Sequence, residues 1–524
     1  MTHRVSVAMS ADVHAALREQ LARRDGREDA CLAIYGASTG VTRRTAIVTQ
    51  VVPPLPDERA VQGKAAISGE YVLQAAALAR DRDEGLVLCH SHPDGRGWQA
   101  LNSTDRATER SFANLAREIT GLPLVAMTLA GRDGSWSARH WDRGAGRDVT
   151  CTEAENVRVV GDQLTVSWND DLVPPPPVQA AQRLSISCWG QARHDDLVRR
   201  SVLVIGTGSV GLDVALRLAA TGVTRIGLMD FDTVEEHNLD RMTGVTATDA
   251  WLRRGKAEVA RRLVLENATA ADLDLRIWDH SVCEPDGARH ALDFDLIFCC
   301  VDRPWPRAVL NLLAYSDLVP VIDGGIAVDV RPDDDGMRNA TWRSHVIRPG
   351  RPCLVCNDQL EPAELATDVA GLLDDPAYVQ APGDVGAGAG QNAAVLSISV
   401  AAALLAQYVS FNVAPGGIGE PGPLQYVLST HTLERLPVVS RPNCLYEVAT
   451  ALGNARPVLT GRHTKAEERR NQRAELSLRR RIERIVDDIA WRRSRRRSAA
   501  ASRLLMSAGR ARRDQAPNGA VGGL

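Results

Sequence analysis

The sequence predicts an α/β chain of two successive folded units followed by a basic, partly helical tail. Three observations carry this. Beyond residue 200, apolar runs of strand length alternate with helical patterns, the runs being 201–206, 225–230, 272–278, 294–302 and 319–325. Such alternation marks a mostly parallel sheet covered by helices. Residues 1–150 mix the two periods: 29–36 and 85–90 read as buried strands and 68–81 as an amphipathic helix. Between them, DLVPPPPVQ at 171–179 is a stiff, proline-rich spacer.

The 524 residues suit two or three domains. The boundaries drawn from these patterns are 1–150 for the first unit, 151–180 for a linker, 181–453 for the second unit and 454–524 for the tail. Residues 461–513 hold 18 Lys/Arg against 6 Asp/Glu, so the net charge of −3 conceals an acidic body and a basic tail. The cations would suffice electrostatically for nucleic acid, but no base-reading motif accompanies them. Docking on the acidic body is the competing expectation. The tail keeps a helical stripe of Leu478, Ile482, Ile485 and Ile489, and its last dozen residues read as disordered. No secretory leader is expected, and the uncharged run at 393–411 reads as a buried helix rather than a membrane span. Of the ten cysteines only Cys353 and Cys356 have ligand spacing, which suits a reducing cytoplasm.

In the first unit an apolar strand ends in His90-Ser91-His92, and Asp105 follows at the start of the next helical segment. Side chains two apart in a strand point the same way, so both imidazoles can face one ion. Two histidines, an aspartate and a water make an open zinc site. The ion would lower the pKa of its water to about 7 and polarise a carbonyl. A separate carboxylate must then shuttle the proton, and Glu28, just before the strand at 29–36, is the candidate.

The stretch HSHPDGRGWQALNSTD resembles the JAMM motif of the JAB/MPN metallopeptidases, over roughly residues 5–145. The resemblance implies cleavage of a peptide or isopeptide bond beside the C-terminal glycine of a ubiquitin-like modifier. It makes His90, His92 and Asp105 the zinc ligands and Glu28 the general acid/base. Two departures stand out. The loop between His92 and Asp105 is two residues longer than the family's. The family serine that helps hold the oxyanion falls on Asn102, with Ser103 one place later; an Asn amide can also donate there.

In the second unit, VLVIGTGSVG sets Gly206, Gly208 and Gly211 between a strand and a helix, and Asp230 ends the next strand. Glycines let the backbone approach phosphate at a helix N-terminus, and the aspartate can bind a ribose. Alone this fits any dinucleotide-binding Rossmann domain, an NAD-dependent oxidoreductase included. Asn238, Arg241, Lys256 and Asp302 shift the reading. A carboxylate attacking the α-phosphorus of ATP expels pyrophosphate, and cations beside the phosphates with an acid for Mg²⁺ serve that step; hydride transfer has no need of them.

This half resembles the ThiF/MoeB family, which shares its Rossmann-like, doubly wound fold with ubiquitin-activating enzymes, over about 180–450. The resemblance implies that the three glycines contact ATP and Asp230 the ribose. Asn238, Arg241 and Lys256 would contact the triphosphate, with Asp302 near Mg²⁺. It also implies a ubiquitin-like or sulfur-carrier protein as substrate, a homodimer, and a neighbouring ubiquitin-conjugating-like partner. Many members hold a structural zinc on two Cys-x-x-Cys pairs. Here Cys353 and Cys356 form one pair, Cys444 stands alone at the second, and a histidine or Glu447 would have to complete the site. An Arg-x-x-Arg before the first strand keeps Arg183 but has Ile186 second, and 361–390 holds no cysteine for a thioester. The runner-up is a degenerate JAB scaffold fused to an adenylyltransferase that feeds sulfur transfer. The chain ends GAVGGL, and Gly522-Gly523 reads as a flexible tail rather than a substrate terminus.

Overall fold

A computed structural model describes residues 3–493 apart from 24, 57, 63, 144–147, 332–335, 375–391, 438 and 476–479. The first half runs β1 (Arg4–Ser10), α1 (Ala11–Leu21), β2 (Ala30–Thr39), β3 (Arg43–Val52), β4 (Arg59–Gln62), β5 (Lys64–Ile67), α2 (Gly69–Asp81), β6 (Gly85–His92), α3 (Ser103–Thr120), β7 (Leu124–Ala130), β8 (Trp136–Arg143), β9 (Val149–Glu153), β10 (Asn156–Val160) and β11 (Leu164–Trp168). Nine of these strands form one sheet in the order β11-β10-β1-β3-β2-β6-β7-β8-β9. The two-residue period sorts the side chains between its faces. Cys31, Ala33, Val87 and Cys89 pack with Leu17 and Leu21 of α1. Leu32, Ile34, Leu86 and Leu88 pack with α2 and α3 on the other face.

The linker expected over 151–180 begins too early. β9 runs into it, and β10 and β11 fall inside it and complete the first sheet. Each has five residues. Strands that short depend on pairing for stability: β10 joins β1 far back in the sequence, and β9 and β11 are hairpin partners of β8 and β10, which local periodicity does not report. The prolines at 174–177 do lie between the two sheets.

The second half runs α4 (Arg183–Trp189), α5 (Gln191–Arg199), β12 (Ser201–Ile205), α6 (Ser209–Thr221), β13 (Arg225–Met229), α7 (Ala247–Trp251), α8 (Lys256–Asn267), β14 (Asp274–Trp278), α9 (Pro285–Ala291), β15 (Leu296–Cys299), α10 (Pro304–Ser316), β16 (Val321–Val330), β17 (Met337–Ile347), α11 (Pro362–Val369), α12 (Ala394–Val413), β18 (Leu424–Val427), β19 (Thr432–Arg435), α13 (Leu445–Val448) and α14 (Thr464–Ala474). The sheet order is β14-β13-β12-β15-β16-β17-β18-β19. β12 to β16 are the five expected runs and pair in parallel. Strand order reverses between β12 and β15, so the loops leaving them diverge and open a crevice at the strand C-termini. α12 is the uncharged run. By length and composition it could cross a membrane, yet its Leu396, Val400, Leu404, Tyr408 and Phe411 are buried, the last four in an apolar core that also takes in Val160, Leu164 and Trp168 of the first half.

The halves meet over buried charge. Asp295 takes Arg43 at 2.6 Å and Arg158 at 2.7 Å on one oxygen. Its other oxygen accepts from the Ser201 amide at 2.9 Å and hydroxyl at 2.8 Å. Burial would raise this carboxyl, but the two guanidiniums prevail and hold it far below the usual carboxylate range. Asp293 caps the β2–β3 turn through the amides of Thr42 and Arg43.

The tail lies on the acidic body. Arg469, Arg470 and Arg473 of α14 pair with Glu235, Glu284 and Asp279 at 3.0, 2.5 and 2.9 Å. Further on, Asp487 and Asp488 pair with Arg254. Of the helical stripe, Ile482, Ile485 and Ile489 are exposed. Charge rather than apolar area fastens this segment. Leu478 and residues 494–524, Gly522-Gly523 included, lie outside the described residues.

Candidate functional site

His90 and His92 continue the parity of Leu86 and Leu88, so β6 delivers both rings on the face covered by α3. Asp105 sits in the first turn of that helix. Its Oδ2 lies 3.6 Å from His90 Nε2 and 3.4 Å from His92 Nε2. One ligand atom from each of the three lies within 4.8 Å of the others. The histidines hold Asp105 below the usual carboxylate range, the hydrogen bond to His90 contributing most. The outer nitrogen of His92 is held, Gln99 meeting Nδ1 at 3.2 Å, while Thr128 stands 3.3 Å from His90 Nε2, the nitrogen that faces Asp105. Thr128 in turn accepts from Arg139, which pairs with Glu109, both fully buried.

Ala30 pairs with His90 across β2 and β6, and the Ser91 amide donates to Asp29. Glu28 lies two residues before β2 opens, in the segment that leads into this pairing. Asn102 is the N-cap of α3: its carbonyl oxygen accepts from the Asp105 amide at 2.9 Å, and its Nδ2 donates to Asp105 Oδ2 at 2.6 Å. The side chain thus orients the Asp105 carboxylate toward the two histidines. Ser103 opens the helix and is exposed.

In the second half, a Cβ at Gly206 would press into the Cys300 carbonyl at 2.6 Å, and one at Gly211 would collide with the Gly206 carbonyl. These glycines are required by close packing of strand, loop and helix. Gly206 also has φ +83°, where other residues are strained. Gly208, the N-cap of α6, is different: a Cβ there would meet nothing within 4 Å. The space beside it lies at free helix N–H groups, where a phosphate fits.

Asp230 is buried at the end of β13 and grips the glycine loop. Its Oδ2 accepts from the Thr207 amide at 2.7 Å and hydroxyl at 3.1 Å, and its Oδ1 from the Asp232 amide at 2.9 Å. Burial raises this carboxyl despite Lys256 nearby. Lys256, the first residue of α8, bonds Asp232 at 3.1 Å. Burial would lower its ammonium, but Asp230 and Asp232, with Asp302 behind them, raise it. Asp302 itself is exposed in the loop after β15. Asn238 is buried and caps its own turn through the Glu235 amide. Arg241 folds back on the His237 carbonyl at 2.5 Å and on Asp240 at 2.9 Å. The crevice therefore gathers Gly208, Asp230, Lys256 and Asp302, while Asn238 and Arg241 are engaged in the loop beside it.

Sequence reading missed Thr207, Asp232 and the tail residues around them. Thr207 had a signal, a hydroxyl inside the glycine loop. His463, Lys465 and Arg469 had none, since only folding brings them here.

The Cys353 and Cys444 sulfurs lie 3.5 Å apart, and Cys356 joins them within a 4.8 Å cluster. The amides of Cys356 and Arg441 donate to the sulfurs of Cys353 and Cys356 at 3.4 and 3.2 Å. Glu447 stands outside that cluster, with Oε1 buried and unbonded.

Residues 180–439 match the ThiF family. Over 171 residues the chain is 30% identical to an adenylyltransferase and sulfurtransferase MOCS3 of Drosophila willistoni, covering 32% of this chain and 34% of that protein. It is 35% identical over 133 residues to the molybdopterin-synthase adenylyltransferase of Salmonella typhimurium, covering 24% and 48%. It is 28% identical over 142 residues to the SUMO-activating enzyme subunit 2 of Dictyostelium discoideum, covering 27% and 21%. The chain thus spans between about a fifth and a half of the length of these relatives. Crystalline MccB of E. coli superposes with a TM-score of 0.39 at 17% identity, over 54% of this chain and 75% of that one.

Proposed function

Because residues 180–439 match the ThiF family, we propose that this chain uses ATP to adenylate the C-terminal glycine of a ubiquitin-like or sulfur-carrier protein. The open space at Gly208, at the head of α6 and in the crevice that holds Asp230 and Lys256, carries the reading. A substrate carboxylate oxygen attacks the α-phosphorus, and the bond to the departing pyrophosphate breaks. Gly208 leaves room for phosphate, Asp230 orients the ribose, and Lys256, turning from Asp232, balances charge on the phosphates. Asn238 and Arg241 would join them once the loop adjusts. Asp302 would hold Mg²⁺, which supplies further charge neutralisation when bound. The names of the relatives agree with this substrate class. The test is ATP–pyrophosphate exchange with candidate carriers, and with the same carriers lacking their last glycine. Exchange is expected with the intact carrier alone; exchange with neither contradicts the reading.

The first half we read as a zinc peptidase acting beside such a C-terminus. Two imidazoles and an oriented carboxylate within 4.8 Å suit zinc, and the ion would supply Lewis acidity toward the scissile carbonyl. Glu28, just before β2, would take a proton from the attacking water and return it to the leaving amine. Glu28→Gln is expected to keep the metal and abolish cleavage of a carrier fusion. Cleavage undiminished in that variant sinks the assignment. A second reading, a JAB scaffold without peptidase activity beside an adenylyltransferase feeding sulfur transfer, draws on the engaged Asn102 amide. The three-cysteine cluster is read as a structural zinc site, and the exposed Leu184 on α4 with Val395 and Ile398 on α12 as the surface a second copy would cover. A conjugating-like protein thiol as acceptor, and a cytoplasmic setting, complete the proposal.

A further inference from the structure

The C-terminal segment does more than neutralise the body; it walls the crevice. Trp305 Nε1 donates to the Leu459 carbonyl at 2.7 Å, and the Gly461 amide donates to Cys283 at 2.8 Å. His463 then lies between the Trp305 ring, stacked at 5.4 Å, and the Phe231 ring at 5.0 Å. Phe231 follows Asp230 directly, and Trp305 lies three residues after Asp302. Next, α14 sets Lys465 against Asp374 at 2.9 Å and Arg469 against Glu235 at 3.0 Å.

Arg469 also faces Asp232, its Nε 3.8 Å from Oδ1. That oxygen is buried and has no hydrogen-bond partner, while Oδ2 of the same carboxylate holds Lys256 at 3.1 Å. Lys256, Lys465 and Arg469 together hold Asp232 below the usual carboxylate range against its burial, Lys256 contributing most. The carboxylate is therefore ionised and shared. When Lys256 turns toward phosphate, Asp232 loses its one strong bond in a buried place, at a cost of the order of an unpaired charge. Closing the Arg469 contact by less than about 1 Å would make a charge-assisted hydrogen bond in its stead.

We propose that Arg469 is a positioning residue for nucleotide binding: it takes over Asp232 as Lys256 is released to the phosphates. This rests on the adenylation reading above. The tail is on this account part of the nucleotide site, supplied from beyond the matched family domain.

The experiment measures ATP binding by titration calorimetry on the full chain, with no carrier present, beside thermal midpoints. Arg469→Ala is expected to raise the ATP Kd by on the order of tenfold with a midpoint close to wild type. Arg469→Lys is expected to recover part of the loss. Arg462→Ala removes a cation whose partner, Glu467, lies within the tail itself, and is expected to leave the Kd unchanged. An unchanged Kd in Arg469→Ala overturns the proposal while leaving adenylation intact. A tighter Kd overturns it too, and makes the tail an inhibitory strap. A wild-type chain that binds no ATP overturns the adenylation reading and this one with it.

Discussion

The two candidate sites differ in how far along the chain their parts are gathered. The metal triad comes from residues 90 to 105, one strand end and the helix that follows it. The crevice draws on loops after β12, β13 and β15, on the first turn of α8, and on a tail helix beginning at Thr464. A site of the first kind is a property of local structure, and its geometry exists once two neighbouring elements pack. A site of the second kind is a property of the whole fold. The consequence is that damage should stay local in the one and spread in the other.

The largest effect expected is the loss of a ligand set. His90→Ala combined with His92→Ala should remove one equivalent of bound zinc and all peptidase activity, because one carboxylate cannot hold the ion alone. Exchange with pyrophosphate should survive, since the triad shares no residue with the crevice. Metal analysis and the exchange assay on one preparation decide it. Zinc content that does not change would break the comparison at its simpler end.

Next come the residues of the crevice. Asp302→Ala should lower adenylation by on the order of a hundredfold, the usual scale for one preorganised electrostatic partner. Asp230→Ala should act differently from a plain ribose contact. Asp230 also ties Thr207 to the end of β13, so the variant should raise the KM for ATP and lower the thermal midpoint together. A raised KM with an unmoved midpoint would show that the glycine loop keeps its shape without that tie.

The legibility of the two sites follows the same division. β6, α2 and the five parallel strands were readable because strand and helix periods act within a few residues. So were the places of His90 and His92 at the end of β6, of Asp105 in the first turn of α3, and of Gly206 and Gly208 between β12 and α6. The extent of the first sheet was not, because β9 is held by β8, β10 by β1 and β11 by β10. Nor was Arg469, whose importance depends on Asp232 being buried with one oxygen unbonded. In a charged tail every arginine looks like its neighbours; only the fold distinguishes Arg469 from Arg462. Asn102 falls between the two. Its place before α3 was legible, but the bond from its Nδ2 to Asp105 Oδ2 was not, because only the folded turn brings the two side chains together.

The junction couples the two regions and offers a test by pH. Asp295 is ionised between Arg43 and Arg158, its carboxyl depressed from the usual 3.8. The sign for a depressed acid is that its stabilisation is full above the unfolded pKa and is lost as pH falls below it. Urea midpoints should therefore hold from pH 7 to about pH 5 and drop below about pH 4. Asp295→Asn should lose about 3–5 kcal/mol at neutral pH, since it leaves two buried guanidiniums without their anion. A flat wild-type profile down to pH 3 would show that the halves do not depend on this cluster.

The smallest effect is the most local. Asn102→Ala removes the N-cap of α3, worth about 1 kcal/mol, together with the 2.6 Å bond that aims Asp105 Oδ2 at the two histidines. Asn102→Asp keeps a capping oxygen and replaces the donor with a second carboxylate beside Asp105. The alanine variant should lose stability and zinc affinity together, the affinity on the scale of the 10–100-fold typical of groups that orient a ligand. The aspartate variant should keep the cap, so that stability held while zinc affinity changes separates the contact with Asp105 from the capping of α3. Competition with a zinc chelator reads the affinity and thermal unfolding reads the cap. If both variants bind zinc like wild type, Asp105 needs no steering, and Asn102 is free to serve as the donor that its place in the motif suggests.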